Sequence, residues 1–338
     1  MNISKKKLQN CCKKKSISRG NYEFWKVFSF NLVSESLLVI LLSGANLMLF
    51  VPNMEARQIK TAPLIAQSQS LPILTPTTPQ AEAYLEQGLQ LIQLGRVTEA
   101  IAYFNEAVRL NPQSAAAYYN LGLAYRQQGQ LQAATNAFYR ATQADSQFAL
   151  AFANLGAALL ESNNFSQAQA YLQHSLQLEP NLSVAHYNLG FLLFLQGRWE
   201  EAKTYLSNAQ RFNPRAPESP YYLGLIYLQQ SNVREAKSHL EKAVAINPRY
   251  SEAHYQLGTI LFNEGNSEAA LDAFRRATEA NPNYADAYYG AGLVFLSQNR
   301  RGEAQRVVEY AYQLYLNQGN QQWANNAQQL LQRIRSGY

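Results

Sequence analysis

The triplet Asn-Leu-Gly occurs at residues 120–122, 154–156 and 188–190, each copy 34 residues after the last. Extending that register in both directions places a glycine at 88, 122, 156, 190, 224, 258 and 292. Twelve residues further on, an alanine recurs at 100, 134, 168, 202, 236, 270 and 304. Seven units with no insertion or deletion leave little choice of fold. Each unit must bury its apolar face on an identical neighbour, and a slip of one residue would turn the next helix out of register.

Within a unit the apolar residues follow a helical period twice over. A first helix of about 14 residues stops near a position suited to positive φ. That position holds Gly95, Gly129, Asn163, Gly197, Gly265 or Asn299, with Ser231 as the exception. A second helix stops at Asn-Pro (111–112, 213–214, 247–248, 281–282) or at Glu179-Pro180, because proline cannot continue a helix interior. Glycine inside a helix costs roughly 1 kcal/mol against alanine. Paying that cost seven times makes sense only if the facing helix approaches the bare Cα, and the recurrent alanine serves the same crossing. Tyr118, Leu121, Tyr125, Phe138 and Ala141 fill the rest of the second unit's core.

These offsets (aromatic, Leu-Gly, Tyr, Ala, Phe, Ala, Pro) resemble the tetratricopeptide-repeat family over Ala81 to Leu316. The resemblance implies an all-α fold, a right-handed α-solenoid of helix-turn-helix units at 81–114, 115–148, 149–182, 183–216, 217–250, 251–284 and 285–316. Departures are local. Ser146 stands for Pro, Pro220 for a large residue, and Leu172, Leu206 and Leu240 for Phe. Residues 317–338 place Trp323, Ala327, Leu330, Leu331 and Ile334 at helical spacing, as a capping helix would to cover the last apolar face.

Charge divides the chain unevenly. Residues 1–60 hold eight Lys, two Arg and three Glu, a net of +7, which leaves 19 basic and 20 acidic residues elsewhere. A nucleic-acid footprint on the repeats is therefore not expected. The basic stretch precedes an apolar run, Leu37 to Val51, shorter than the roughly 18 residues that usually span a bilayer. We read residues 1–56 as a signal peptide cleaved near Ala56 or as a retained anchor, since uncharged sequence extends from Ser36 to Met54. Either way the repeats are expected to be exported, with membrane association if the segment is kept. Cys11 and Cys12 precede the apolar run, and no thiol follows them. Residues 57–80, rich in Pro, Ser, Thr and Gln, read as a flexible linker.

No catalytic or metal-binding constellation stands out, and neither a cofactor nor an enzyme activity is expected. His186 and His254 fall where the repeat carries an aromatic packing residue, which points to core histidines. The family resemblance instead implies a protein or peptide partner, held along the concave face that the first helices line. Position 5 of the units reads Leu85, Tyr119, Ala153, Tyr187, Tyr221, Tyr255 and Tyr289, either a groove ladder or rings packed between helices. Position 6 gives Asn120, Asn154 and Asn188, whose amides would hold a peptide backbone as they do in superhelical members, or would simply be solvated or bonded to their own helix. At the centre Phe191, Phe194, Leu195, Leu225 and Leu228 would form an apolar anchor patch if exposed. The paired lysines by which chaperone-binding members grip a C-terminal carboxylate are missing. The expected role is a non-catalytic scaffold in envelope or membrane complex assembly, and the alternative is a self-associating spacer with an unused groove.

Overall fold

A computed structural model describes residues 78–336. Residues 1–56, read from sequence as a signal or anchor, with Cys11 and Cys12, and residues 57–77 of the expected linker lie outside the described residues. Those described form fifteen helices and no strand, an α-solenoid of helix-turn-helix units. The first helices of the seven units are α1 (Pro79–Gln93), α3 (Ala115–Gln127), α5 (Ala149–Glu161), α7 (Ser183–Leu195), α9 (Glu218–Gln229), α11 (Ser251–Asn263) and α13 (Ala285–Ser297). The second helices are α2 (Val97–Leu110), α4 (Leu131–Ala144), α6 (Phe165–Leu178), α8 (Trp199–Phe212), α10 (Val233–Ile246), α12 (Ser267–Ala280) and α14 (Arg301–Asn317). α15 (Gln321–Ser336) follows. The first helix begins at Pro79, two residues earlier than the repeat register suggested, with the Thr78 hydroxyl accepting from the Ala81 amide.

The repeated glycine marks the crossing of the two helices in each unit. A Cβ on Gly122 would lie 2.7 Å from the ring of Phe138, and one on Gly190 would lie 2.8 Å from Leu206 Cγ and 3.1 Å from the Leu206 amide nitrogen. The group filling the space is thus the large residue sixteen positions on. Leu172, Leu206 and Leu240, which replace the expected Phe, are as fully buried there as Phe138. The small Ala admits the approach from the other side, with the Ala168 and Ala236 carbonyls 3.2 Å from such a Cβ on Gly156 and Gly224.

The turns repeat as faithfully. At each first-helix end a left-handed residue lets two amides reach back, as where Gly197 donates to the Phe194 carbonyl and Arg198 to the Leu193 carbonyl. Ser231 is no exception. Its φ is +58°, beside +59° at Asn163 and Asn299, so a residue poorly suited to that region has been forced into it. Between units, Asn111, Asn247 and Asn281 each accept from the amide two residues on, and Asp145 does the same where Ser146 replaces proline. That side-chain turn explains why a unit without the proline still closes. At the far end α15 buries Ala324, Ala327, Leu330, Leu331 and Ile334, while Tyr315 of α14 donates to the Asp286 carboxylate at 2.8 Å.

Candidate functional site

The tyrosines at position 5 are spent mostly on packing. Tyr119 sits 5.8 Å from Phe138 and 5.0 Å from Phe148 of its own unit, centroid to centroid. Tyr255 repeats this against Phe274 and Tyr284, and Tyr221 lies 4.9 Å from Tyr250. Tyr289 meets Tyr315 and Trp323 of the C-terminal helices. An open ladder of rings is therefore not what the structure contains. Tyr119 and Tyr255 wedge between the second helix and the last residue of their units, whereas Tyr187 packs on Phe191 and on Tyr222 of the next unit. Burial raises the phenols of Tyr119 and Tyr187 well above their usual range and that of Tyr289 to about 12.

Two of the three asparagines bond back to their own helix. Asn120 Nδ2 donates to the Ala116 carbonyl at 2.8 Å. Asn154 Nδ2 donates to the Leu150 carbonyl at 3.0 Å and to the Tyr119 hydroxyl at 3.3 Å. Asn188 is buried. At Asn120 and Asn154 the amide nitrogen serves its own helix, which takes one of the two N–H donors of Asn120, while Asn154 spends both on Leu150 and Tyr119.

The apolar centre is the clearest departure from expectation. Phe191, Phe194, Leu225 and Leu228 are buried, at 4%, 6%, 2% and 3% exposure, so no open patch of these residues exists. The reason is a ring cluster that the repeat register did not reveal. Tyr222 packs 4.8 Å from Phe191 and 5.2 Å from Phe194, Trp199 stands edge-on to Phe194 at 5.3 Å, and Tyr187 stacks on Phe191. Leu195 keeps partial exposure at the edge of this cluster.

Two polar features on the first helices were missed. Arg126 of α3 and Glu161 of α5 form an ion pair in which Nε at 2.7 Å and Nη2 at 2.6 Å both meet Oε1, with only about a tenth of each side chain exposed. They stand 35 residues apart, one period plus one, and a scan for opposite charges at that separation would have found them. Glu218 opens α9 beside the tyrosine cluster, and burial raises its carboxyl above the usual range. The histidines pack as expected. His186 and His254 are buried, and each bonds through Nε2, at 2.9 Å, to the carbonyl of the proline ending the preceding unit. Among the described residues no group of metal-ligating side chains assembles. A cleft of about 570 Å³ lies instead between α14 and α15, lined by residues such as Arg306, Tyr310, Leu331 and Arg335.

Comparison with known proteins decides the family. A tetratricopeptide-repeat model, described as cilia and flagella-associated protein 70 C-terminal domain, matches residues 53–291, well over half of the chain. The chain belongs to the tetratricopeptide-repeat family. This repeat protein is similar to a chain in the crystal structure of the APC/C hetero-tetramer Cut9-Hcn1, with a TM-score of 0.62 and 19% identity. That alignment covers 75% of this protein and 49% of the other, so the repeat protein spans about half of that relative. A tetratricopeptide repeat protein from Parabacteroides merdae aligns with a TM-score of 0.55 at 18% identity, over 76% of this chain and 100% of that one. PilW, a type IV pilus biogenesis factor, aligns with a TM-score of 0.55 at 18% identity, over 62% and 97%. At these identities the likeness concerns the fold. No curated protein matches the sequence. Membership in a generally non-catalytic family places this repeat protein in the broad class of protein–protein interaction scaffolds.

Proposed function

We propose that the protein holds an extended segment of a partner protein along its first helices, as an exported scaffold in the assembly of an envelope or membrane complex. One observation carries this reading. A helix lying over a second helix needs one apolar stripe, and the second helices have just that. The first helices α5 and α7 are apolar, or carry buried amides, on nearly every face. Neighbouring helices already cover most of that surface, which leaves partly exposed residues such as Leu195 and Tyr222 along the row, and an extended chain is the occupant that such a row of helices accommodates. The envelope setting rests on the basic and apolar pattern of residues 1–56 together with the fold shared with PilW.

Site-specific photocrosslinking tests this in cells. Benzoylphenylalanine placed at Leu195 or Tyr222, both partly exposed, is expected to give adducts with one defined protein. The same group at Tyr139 or Tyr310, exposed on second helices, is expected to give none. Adducts only from the second-helix positions would defeat the proposal, and adducts only between two copies of the chain would favour the self-associating spacer. Sequencing the N-terminus of the mature protein checks export separately.

A further inference from the structure

Four large apolar side chains are exposed among the described residues, and Leu94 at 69% stands well above Leu89, Tyr139 and Tyr310, at 38% to 46%. Its main chain is fixed, since it closes α1 with its amide donating to the Gln90 carbonyl at 3.1 Å. The exposure therefore belongs to the place that this side chain holds in the repeat.

Leu94 is position 14 of unit one. In the six later units that position is polar, with Gln128, Ser162, Gln196, Gln230, Glu264 and Gln298. Four of these reach the second helix of the unit before. Gln128 Nε2 donates to Thr98 Oγ1 at 2.8 Å, and Gln230 Nε2 donates to Glu200 Oε1 at 2.8 Å. Gln298 Nε2 donates to Glu268 Oε1 at 3.0 Å, and Glu264 accepts from Lys237 at 2.7 Å. Position 14 is thus where a unit touches its predecessor, and three of the partners lie 30 residues earlier. Unit one carries a leucine at that contact, which calls for an apolar predecessor.

The residue 30 positions before Leu94 is Leu64. Ala66 then falls one period before Ala100, where the repeated alanine would stand. The match to the family model likewise begins at residue 53, ahead of the first unit. The pattern is incomplete, however. Met54 takes the glycine position, and Pro72 would interrupt a second helix that Pro63 is suited to begin. Residues 63–71 therefore offer a short apolar cover and not a full unit. At the other end of the stack α15 already serves as such a cover, burying its own apolar stripe.

We propose that residues 63–71 dock on the open N-terminal end of the stack, with Leu64 packed on Leu94, as a partial unit that caps α1. The cap is independent of what the first helices bind. It also shortens the spacer, because only residues 57–62 then separate Ala56 from docked chain, a reach of at most about 20 Å.

The test is disulfide trapping in the purified full-length protein carrying Cys11→Ser and Cys12→Ser. The pair Leu64→Cys, Leu94→Cys is compared with the pair Leu74→Cys, Leu94→Cys under mild oxidation, and the bonds are counted by mass spectrometry. A free tether would favour the second pair about twofold, since its loop is the shorter. A docked segment holds Leu74 toward the opposite end of α1, so the first pair is expected to close at least about fivefold faster, and within one chain. Hydrogen exchange supplies a second measurement that needs no cysteine. Leu64→Ser and Leu94→Ser should each speed amide exchange along α1 by a similar factor, and the double variant should speed it no further.

Closure of the Leu74 pair at an equal or greater rate overturns the inference, as does exchange along α1 that Leu64→Ser leaves unchanged. Disulfide-linked dimers through Leu94→Cys, formed in place of the bond within one chain, would give the face to a second copy and overturn it as well.

Discussion

Leu225 of unit five and Leu293 of unit seven occupy the same position of the same repeat, as do Leu228 and Leu296. Yet the first of each pair is almost wholly buried and the second keeps partial exposure. The repeat motif specifies the crossing inside a unit, where all seven units agree. It leaves the outer face of the first helix to be decided by whichever side chains reach over from neighbouring helices. In the central units those are aromatic, with Tyr222, Trp199 and Tyr187 closing around Phe191 and Phe194. In the terminal units the outer positions are less enclosed. Identical local sequence thus has unequal energetic weight.

The largest effect expected from this contrast lies in those leucine pairs. Truncating a buried leucine to alanine costs about 2–5 kcal/mol, depending on how far the site collapses. Leu225→Ala and Leu228→Ala should both fall in that range, whereas Leu293→Ala and Leu296→Ala should cost less than half as much. Urea unfolding monitored by helical signal measures this. Equal losses at the two ends of a pair would show that burial within the repeats does not set their weight, and the contrast would collapse.

Gly190→Leu probes what the units share. Its side chain must enter a space already held by Leu206 Cγ, 2.8 Å from the nearest atom added, with the Leu206 backbone close behind. Overpacking of this kind costs about 1–3 kcal/mol, and the neighbour has a main chain at its back that cannot yield. Gly122→Leu, against the Phe138 ring at 2.7 Å, should cost about as much even though it lies nearer the end of the stack. A melting temperature left unchanged by either substitution would remove the crossing as the common element.

What could be read from residues alone follows the same division. The period, the glycine facing position 24 and the left-handed helix ends are set by contacts inside one unit, so local sequence reports them. His186 and His254 were legible from the aromatic packing position they occupy, and each closes onto the proline six residues before it. The outer face was not legible. The family pattern placed Phe191 and Phe194 in an open groove, but whether they stay open depends on Tyr222 of the next unit, 4.8 Å and 5.2 Å away. The tyrosines of position 5 were ambiguous for the same reason, since a ring on a first helix serves a groove or a second helix with equal chemistry. Gln256 carried no sequence signal, because an amide without a partner exists only once its surroundings are assembled.

Acid separates the central units from the rest more gently. His186 of unit four and His239 of unit five each have Nδ1 buried without a partner, and burial lowers both imidazoles below their usual value. A lowered folded-state value means that the neutral ring is favoured on folding. The contribution is therefore complete above about pH 6.5, the unfolded value, and is lost as pH falls from there through the folded one. The melting temperature should decline between pH 8 and 5.5 more steeply than in the double variant His186→Gln, His239→Gln. Parallel declines would show that these two rings do not report on the central units.

The smallest effect concerns Ser231, the one turn residue among the described residues that is neither Gly nor Asn yet adopts positive φ. Left-handed backbone costs an ordinary residue roughly 1 kcal/mol, a cost that asparagine largely escapes by local hydrogen bonding. The turn itself is intact, with the Asn232 amide 2.8 Å from the Tyr227 carbonyl, so geometry cannot relieve the strain without giving up that bond. Ser231→Asn should accordingly raise the melting temperature by about 1–3 °C for a chain of this size. Ser231→Gly should gain less, because glycine also loosens the unfolded chain. Ser231→Val should lose stability, since a branched Cβ suffers most in that region. The order Asn, Gly, Ser, Val is the diagnostic. If valine is tolerated as well as serine, the turn is relaxed, and the two helices of unit five are then joined no differently from those of the glycine-turned units on either side.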